Sequence, residues 1–179
     1  RRGHGYKWNR DPHSHARYVA GHPNTRPDTL HHLATDKNSS NDVKWRVADN
    51  TSTHPDTLHH LATDKNSNDN VKQGVAWNTR AHHDTLHHLA TDKNSSDEVK
   101  WRIAENTSAH PDTLHHLATD KDSSDDVREA AKTNPTYIKW LKSNTKLAAS
   151  ETEMDGLKKN HIDLEYARTL FKKFGGWRG

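Results

Sequence analysis

The 28 residues 27–54, PDTLHHLATDKNSSNDVKWRVADNTSTH, decide how this chain folds, because they return almost unchanged further along it. The string LHHLATDK opens at Leu30, Leu58, Leu86 and Leu114, with the same interval of 28 residues each time. A worn half unit, residues 11–29, ends in VAGHPNTRPDT before the first clear copy, and the fourth copy decays after Val127 into VREAAKTNPTY. Near-identity at a fixed period of this size marks a tandem array whose units lean on one another. The chain of 179 residues therefore divides into an N-terminal arm (1–10), an array of about five units with degenerate ends (11–137), and a C-terminal cap with a basic tail (138–179).

Each unit carries two short helical signals. At about 100° per residue, Leu30, Leu33 and Ala34 share one arc, His32 lies opposite and His31 falls on the border, so the leucines face a core. Pro27, Pro55 and Pro111 stand where a first helical turn begins, and the Asp that follows each suits the positive helix end. Ser39-x-x-Asp42, Ser95-x-x-Glu98 and Ser123-x-x-Asp126 resemble capping boxes with a shortened partner and predict a second helix through Val43 and Val47. The Asn-Thr-Ser or Asn-Pro-Thr segment ends it. Helices this short are marginal alone, so the units must stack to bury their leucines and valines. The expected fold is all-α, a solenoid of short helix pairs with a helical C-terminal cap.

The pattern V-[KR]-x-x-[VA]-A-x-N-[TP], followed by a helix start with Pro and L-x-x-L-A, resembles the variant leucine-rich repeats, relatives in shape of HEAT and armadillo solenoids. Val43, Lys44, Val47, Ala48 and Asn50, then Pro55, Leu58, Leu61 and Ala62, carry it, together with their equivalents one and two periods on. The resemblance implies a right-handed superhelix, an interaction role, and kinship with bacterial and phage proteins, including subunits of phage particles. The Asp-Lys-Asn-Ser-Ser connection is longer than the family's, and the cysteine-ligated cluster of some members has no counterpart, since the chain has no cysteine. No redox role or other cofactor is implied.

Hydrophobic residues make up only 29% of the chain and mean hydropathy is −1.23, which excludes a thick single core and any membrane span. With no signal-like apolar segment, a cytoplasmic location or a place within a soluble assembly is expected. Residues 1–29 hold six Arg/Lys against two Asp, and residues 138–179 hold nine against five acidic residues, whereas residues 30–137 hold twelve against seventeen. A mildly acidic array is a poor match for phosphates. The arms RRGHGYKWNR and FKKFGGWRG, with Tyr6 and Trp8 in the first, interleave basic and aromatic residues in a way that suits nucleic acid, a neighbouring protein or simple solubility. Near the C-terminus, a Ser150-Glu-Thr-Glu153 capping box and a helix from Asp163 are expected. Leu164, Ala167, Phe171 and Phe174 line that helix as an apolar stripe that closes the solenoid or docks on a partner.

Residues one period apart form rows, and rows are the natural unit of function. Lys44, Lys72, Lys100 and Arg128 make a basic row beside Trp45, Gln73, Trp101 and Glu129. Trp45 and Trp101 point away from the valine side of their helices, as contact or stacking platforms for a partner or as packing between units. The second copy carries Gln73-Gly74 in place of Trp-Arg and has Trp77 instead, which argues against one ligand per unit. Of seventeen histidines, twelve lie between residues 31 and 116. Neighbours such as His31 and His32 diverge on a helix, and Asp28/His32-type pairs are explained as surface helix pairs, so no metal site is expected. A common charging of the rows near pH 6 would make them a pH sensor. The connection loop lacks the glycine and bidentate Glu of a calcium loop. No catalytic motif stands apart from the repeat, and an enzyme is not expected; a base-excision activity like that of HEAT-like glycosylases would need Trp45/Asp49 or Trp101/Glu105 in one concave pocket. The reading is a non-enzymatic interaction or structural scaffold with a protein partner, the alternative being a nucleic-acid-binding solenoid that uses the arms and the Lys/Trp rows.

Overall fold

A computed structural model describes residues 12–147. Among them the chain is all-helical: α1 (Pro12–Gly21), α2 (Pro27–Thr35), α3 (Asn41–Asp49), α4 (Pro55–Thr63), α5 (Asp69–Trp77), α6 (His83–Thr91), α7 (Asp97–Glu105), α8 (Pro111–Thr119), α9 (Asp125–Thr133) and α10 (Pro135–Leu147). Helices α2, α4, α6 and α8 form one row, and α1, α3, α5, α7 and α9 a second whose members approach each other more closely. This is a solenoid of repeated helix pairs, as the 28-residue period predicts. The expected capping box at Ser150, the helix from Asp163 and both arms lie outside the described residues.

One continuous core runs along the array between the two rows. Leu58, Leu61, Leu86, Leu89, Leu114 and Leu117 from the first row meet Val43, Val47, Val71, Val75, Val99 and Ile103 from the second, all fully buried. Leu33, which has no unit of the first row before it, is only partly buried. Burying a leucine stabilises by about 1.5–3 kcal/mol, so each thin unit gains its stability from being sandwiched.

The second-row helices begin one residue later than the capping-box reading places them. Ser40, Asn68, Ser96 and Ser124 are the N-caps, each accepting the backbone N–H of the valine three residues on. The serines expected to cap belong to the preceding turn: the N–H groups of Ser39 and Ser95 donate to the carbonyls of Asp36 and Asp92, and the Ser123 hydroxyl donates to the Asp120 carboxylate. Valine, not an acid, stands at the third helical position, so no reciprocal box forms.

The first-row helices begin at Pro27, Pro55, His83 and Pro111. His83 is therefore the exception, a non-proline at a position whose N–H needs no helical partner. His82 before it has φ −65° and ψ 146°, the extended backbone that a following proline requires. Replacing His83 by Pro is expected to raise stability by about 0.4–1 kcal/mol, mainly by restricting the unfolded chain. A rise in thermal midpoint checks it, and a fall would show that the imidazole makes a stabilising contact.

At the C-terminal end the pattern closes by deletion. In the preceding unit four residues separate Asn106 from α8, whereas α10 starts directly after Asn134. Tyr137 then fills the place that Thr57, Thr85 and Thr113 hold in earlier units, fully buried, and Leu141 matches the inner leucines. Where an alanine faces the next unit in α4, α6 and α8, α10 carries the exposed Lys142. The helix also runs across the expected boundary at residue 137, so the cap grows out of a shortened unit.

Candidate interaction face

Three side-chain ladders, repeating every 28 residues, lock the units together and determine which rows remain for a partner. The first is made by the buried asparagines that end the second-row helices. Asn50 donates its amide to the carbonyls of Ala20 (2.8 Å) and His22 (3.0 Å). Asn78, Asn106 and Asn134 repeat this toward Ala48 and Asn50, Ala76 and Asn78, and Ala104 and Asn106. Each Oδ1 also accepts the N–H of the residue two further on.

The second ladder uses the first histidine of each doublet. The Nδ1 atoms of His31, His59 and His87 lie 2.9–3.0 Å from the hydroxyls of Thr57, Thr85 and Thr113, and His115 meets the Tyr137 hydroxyl at 2.8 Å. These histidines thus join neighbouring units. The expected Asp28/His32-type pairs do not form the ion contacts: Asp56, Asp84 and Asp112 each place a carboxylate oxygen 3.4 Å from Nδ1 of the capping His54, His82 and His110.

The third ladder corrects the basic row. Lys44 is buried and bonds Asp64 at 2.7 Å, Lys72 approaches Asp92 at 3.7 Å, and Lys100 approaches Asp120 at 3.5 Å. Arg128 turns back onto the carbonyls of Asp120, Lys121 and Ser123 and onto Asp125. Their charges are spent inside the array, so they form no stripe for phosphates. The Lys44 hydrogen bond holds the Asp64 carboxyl below its ordinary range. The Asn94 backbone N–H, with Lys72 near, lowers Asp92, and the Ser123 hydroxyl, with Lys100 near, lowers Asp120.

What remains exposed on the second row is acidic and aromatic. Trp45 is 36% exposed and Trp77 49%, while Trp101 packs partly against the core. The first and third tryptophans sit over small residues of the following unit. A Cβ at Gly74 would lie 3.4 Å from Cδ1 of Trp45 and 2.9 Å from the Ala48 Cβ, and Trp101 shares a groove with Ala130. In sequence the signal is an arginine at 46 and 102 giving way to Gly74 and Ala130, one unit after each tryptophan. The tryptophans therefore pack between units and still show an edge. Arginines cover part of that edge: the Arg102 guanidinium lies 5.3 Å from the Trp77 ring and 5.0 Å from Trp101, and Arg46 lies 5.7 Å from Trp45. A guanidinium over an indole is a favourable cation–π geometry.

Asp97, Glu98, Trp101, Glu105, Asp126 and Ala130 line an open groove of about 500 Å³ between α7 and α9. Trp45 and Asp49 line a smaller one of about 200 Å³ with Arg46. The tryptophan and carboxylate pairs thus do share grooves, the geometric condition set for a base-excision activity. The larger groove, however, gathers four carboxylates, a field that repels a phosphodiester backbone. Tyr6, Trp8, Phe171 and Phe174 lie outside the described residues, so their relation to this face is not part of the geometry.

No helix among the described residues is long and apolar enough to cross a membrane. The fold and the face define a class, a short-helix α-solenoid whose second row exposes acidic and aromatic side chains. Comparison with known proteins goes no further: no family model matches the chain, and neither a curated protein nor a solved structure does.

Proposed function

We propose that the protein is a non-enzymatic scaffold, a component of a larger assembly, that captures a basic segment of a partner protein on the acidic, aromatic row. The observation that carries this reading is the groove of Asp97, Glu98, Glu105 and Asp126 around Trp101. Its chemistry suits lysine or arginine side chains, and Arg102 between Trp77 and Trp101 is an internal example of the same recognition. The resemblance to variant leucine-rich repeats belongs to this reading, since repeat solenoids present side-chain rows on a rigid surface. The nucleic-acid alternative loses its central row, because Lys44, Lys72 and Lys100 are taken up by Asp64, Asp92 and Asp120.

Titration of the full chain with a Lys/Arg-rich peptide, followed by tryptophan fluorescence, tests the proposal. Glu105→Gln with Asp126→Asn is expected to weaken binding, each exposed charge contributing about 0.2–1 kcal/mol, with the thermal midpoint unchanged. Trp101→Ala is expected to cost about 2 kcal/mol of binding as an aromatic anchor. Equal peptide affinity in all variants would defeat the proposal.

A further inference from the structure

We propose that His82, His83 and Asp84, completed by His110 of the next unit, form a binding site for a divalent transition-metal ion that prefers imidazole, such as Zn²⁺. His82, His83 and Asp84 each offer a ligand atom within 4.8 Å of the other two. Asp84 is approached by both rings, at 3.4 Å from Nδ1 of His82 and 3.3 Å from Nε2 of His83. Ligand bonds of about 2.0–2.1 Å in a tetrahedral zinc site put neighbouring ligand atoms roughly 3.4 Å apart, the separation at which each ring nitrogen already stands from an Asp84 oxygen, His82 from Oδ2 and His83 from Oδ1.

The rings of His82 and His83 lie 4.0 Å apart between centroids, and the His110 ring lies 5.8 Å from that of His83. All three cluster residues are exposed, which leaves their side chains room to converge and an ion a route to reach them. The divergence that disqualifies a histidine doublet inside a helix does not apply here. His82 is the N-cap, in extended backbone, and only His83 has entered the helix, so the rings are free of the 100° helical rule. His82 caps α6 through an Nδ1 contact of 3.4 Å to the Asp84 N–H, long enough for a metal bond to replace it. The positive end of the helix opposes a cation, and the Asp84 carboxylate offsets that.

Among the described residues the site occurs once. The equivalent stretches read His54-Pro55-Asp56 and His110-Pro111-Asp112, and proline offers no ligand. The single departure from the proline rule among the first-row helices is therefore also the residue that completes the cluster. Bound by His82, His83 and Asp84 of one unit and His110 of the next, an ion would cross-link α6 to α8 at their N-terminal ends.

Calorimetric titration of the full chain with Zn²⁺, beside His83→Pro and His110→Gln, tests this. His83→Pro carries the residue that α4 and α8 already have at this position, so it keeps the fold while deleting one ligand. The wild-type chain is expected to bind one Zn²⁺ more tightly than the remaining histidines do. Both variants should bind that equivalent at least tenfold more weakly, the scale of loss seen when metal sites are disturbed. Thermal midpoint should rise with Zn²⁺ in the wild-type chain and stay level in His83→Pro, because an ion bound only to the folded state stabilises it. Superimposable isotherms for wild type and His83→Pro would assign binding to scattered histidines and overturn the site, as would no binding at all.

Discussion

Asn78→Ala is expected to cost the array about 3–5 kcal/mol, out of proportion to the three heavy atoms removed. The Asn78 side chain donates to the Ala48 carbonyl at 2.7 Å and the Asn50 carbonyl at 3.2 Å, and accepts the Arg80 N–H at 2.9 Å. Asn78 is buried, and the first two contacts lie in the interior, so alanine takes the side-chain donor from the Ala48 carbonyl and the acceptor from the Arg80 N–H, while the Asn50 carbonyl keeps the Thr53 N–H. Each stranded group costs about 1–3 kcal/mol. Asn78→Asp is the sharper variant, since it keeps the shape and the acceptor but brings carboxylate oxygens against two carbonyls. Chemical denaturation should show both variants strongly destabilised and Asp no better than Ala. A loss under 1 kcal/mol for either would show that the ladder merely accompanies the helix ends.

Asp64→Ala is expected to cost about 3 kcal/mol, because it leaves the ammonium of Lys44 without its counter-charge where side-chain exposure is only 9%. Pairing Asp64→Leu with Lys44→Met should recover most of that loss, since a buried ion pair adds little over apolar residues of similar volume. A double variant as unstable as the single one would show that the pair itself provides the stability. Acid provides an independent test of the same ladder. Asp64, Asp92 and Asp120 all have carboxyls held below the usual range in the folded chain. Their contribution is therefore fully present above the unfolded value of about 4 and is lost as pH falls through the lower folded values. Stability measured by denaturant should drop more steeply below about pH 4 in the wild-type chain than in the Asp64→Leu/Lys44→Met variant.

The architecture was legible because leucine spacing and proline-acid helix starts are local properties. The period of 28 then places every later helix from the first, and the core leucines and valines fall where one wheel puts them. The ladders were not legible, because a helical wheel treats each helix alone. Lys44 and Asp64 are twenty residues apart in two units, and nothing within either helix announces that the turn before α5 folds over the ammonium. Asn50 reads as an ordinary helix terminator until the unit before it supplies two carbonyls. The N-cap fell one residue off since two adjacent serines fit the same motif, and only the turn hydrogen bond of the first distinguishes them. The cluster of His82, His83 and Asp84 is not legible from the doublets His31/His32, His59/His60, His87/His88 and His115/His116, which lie inside helices, whereas His82 precedes one.

The partner chemistry rests on one contrast, acid on the exposed row against lysines folded inward. The most direct measurement is the affinity of the full chain, at rising salt up to about 300 mM, for a Lys/Arg-rich peptide and for a mixed single- and double-stranded nucleic-acid pool side by side. The account predicts saturable peptide binding that Glu105→Gln with Asp126→Asn weakens, and nucleic-acid binding that is weak and indifferent to those substitutions. Tight nucleic-acid binding that falls log-linearly with salt, with no response to the peptide, would contradict it.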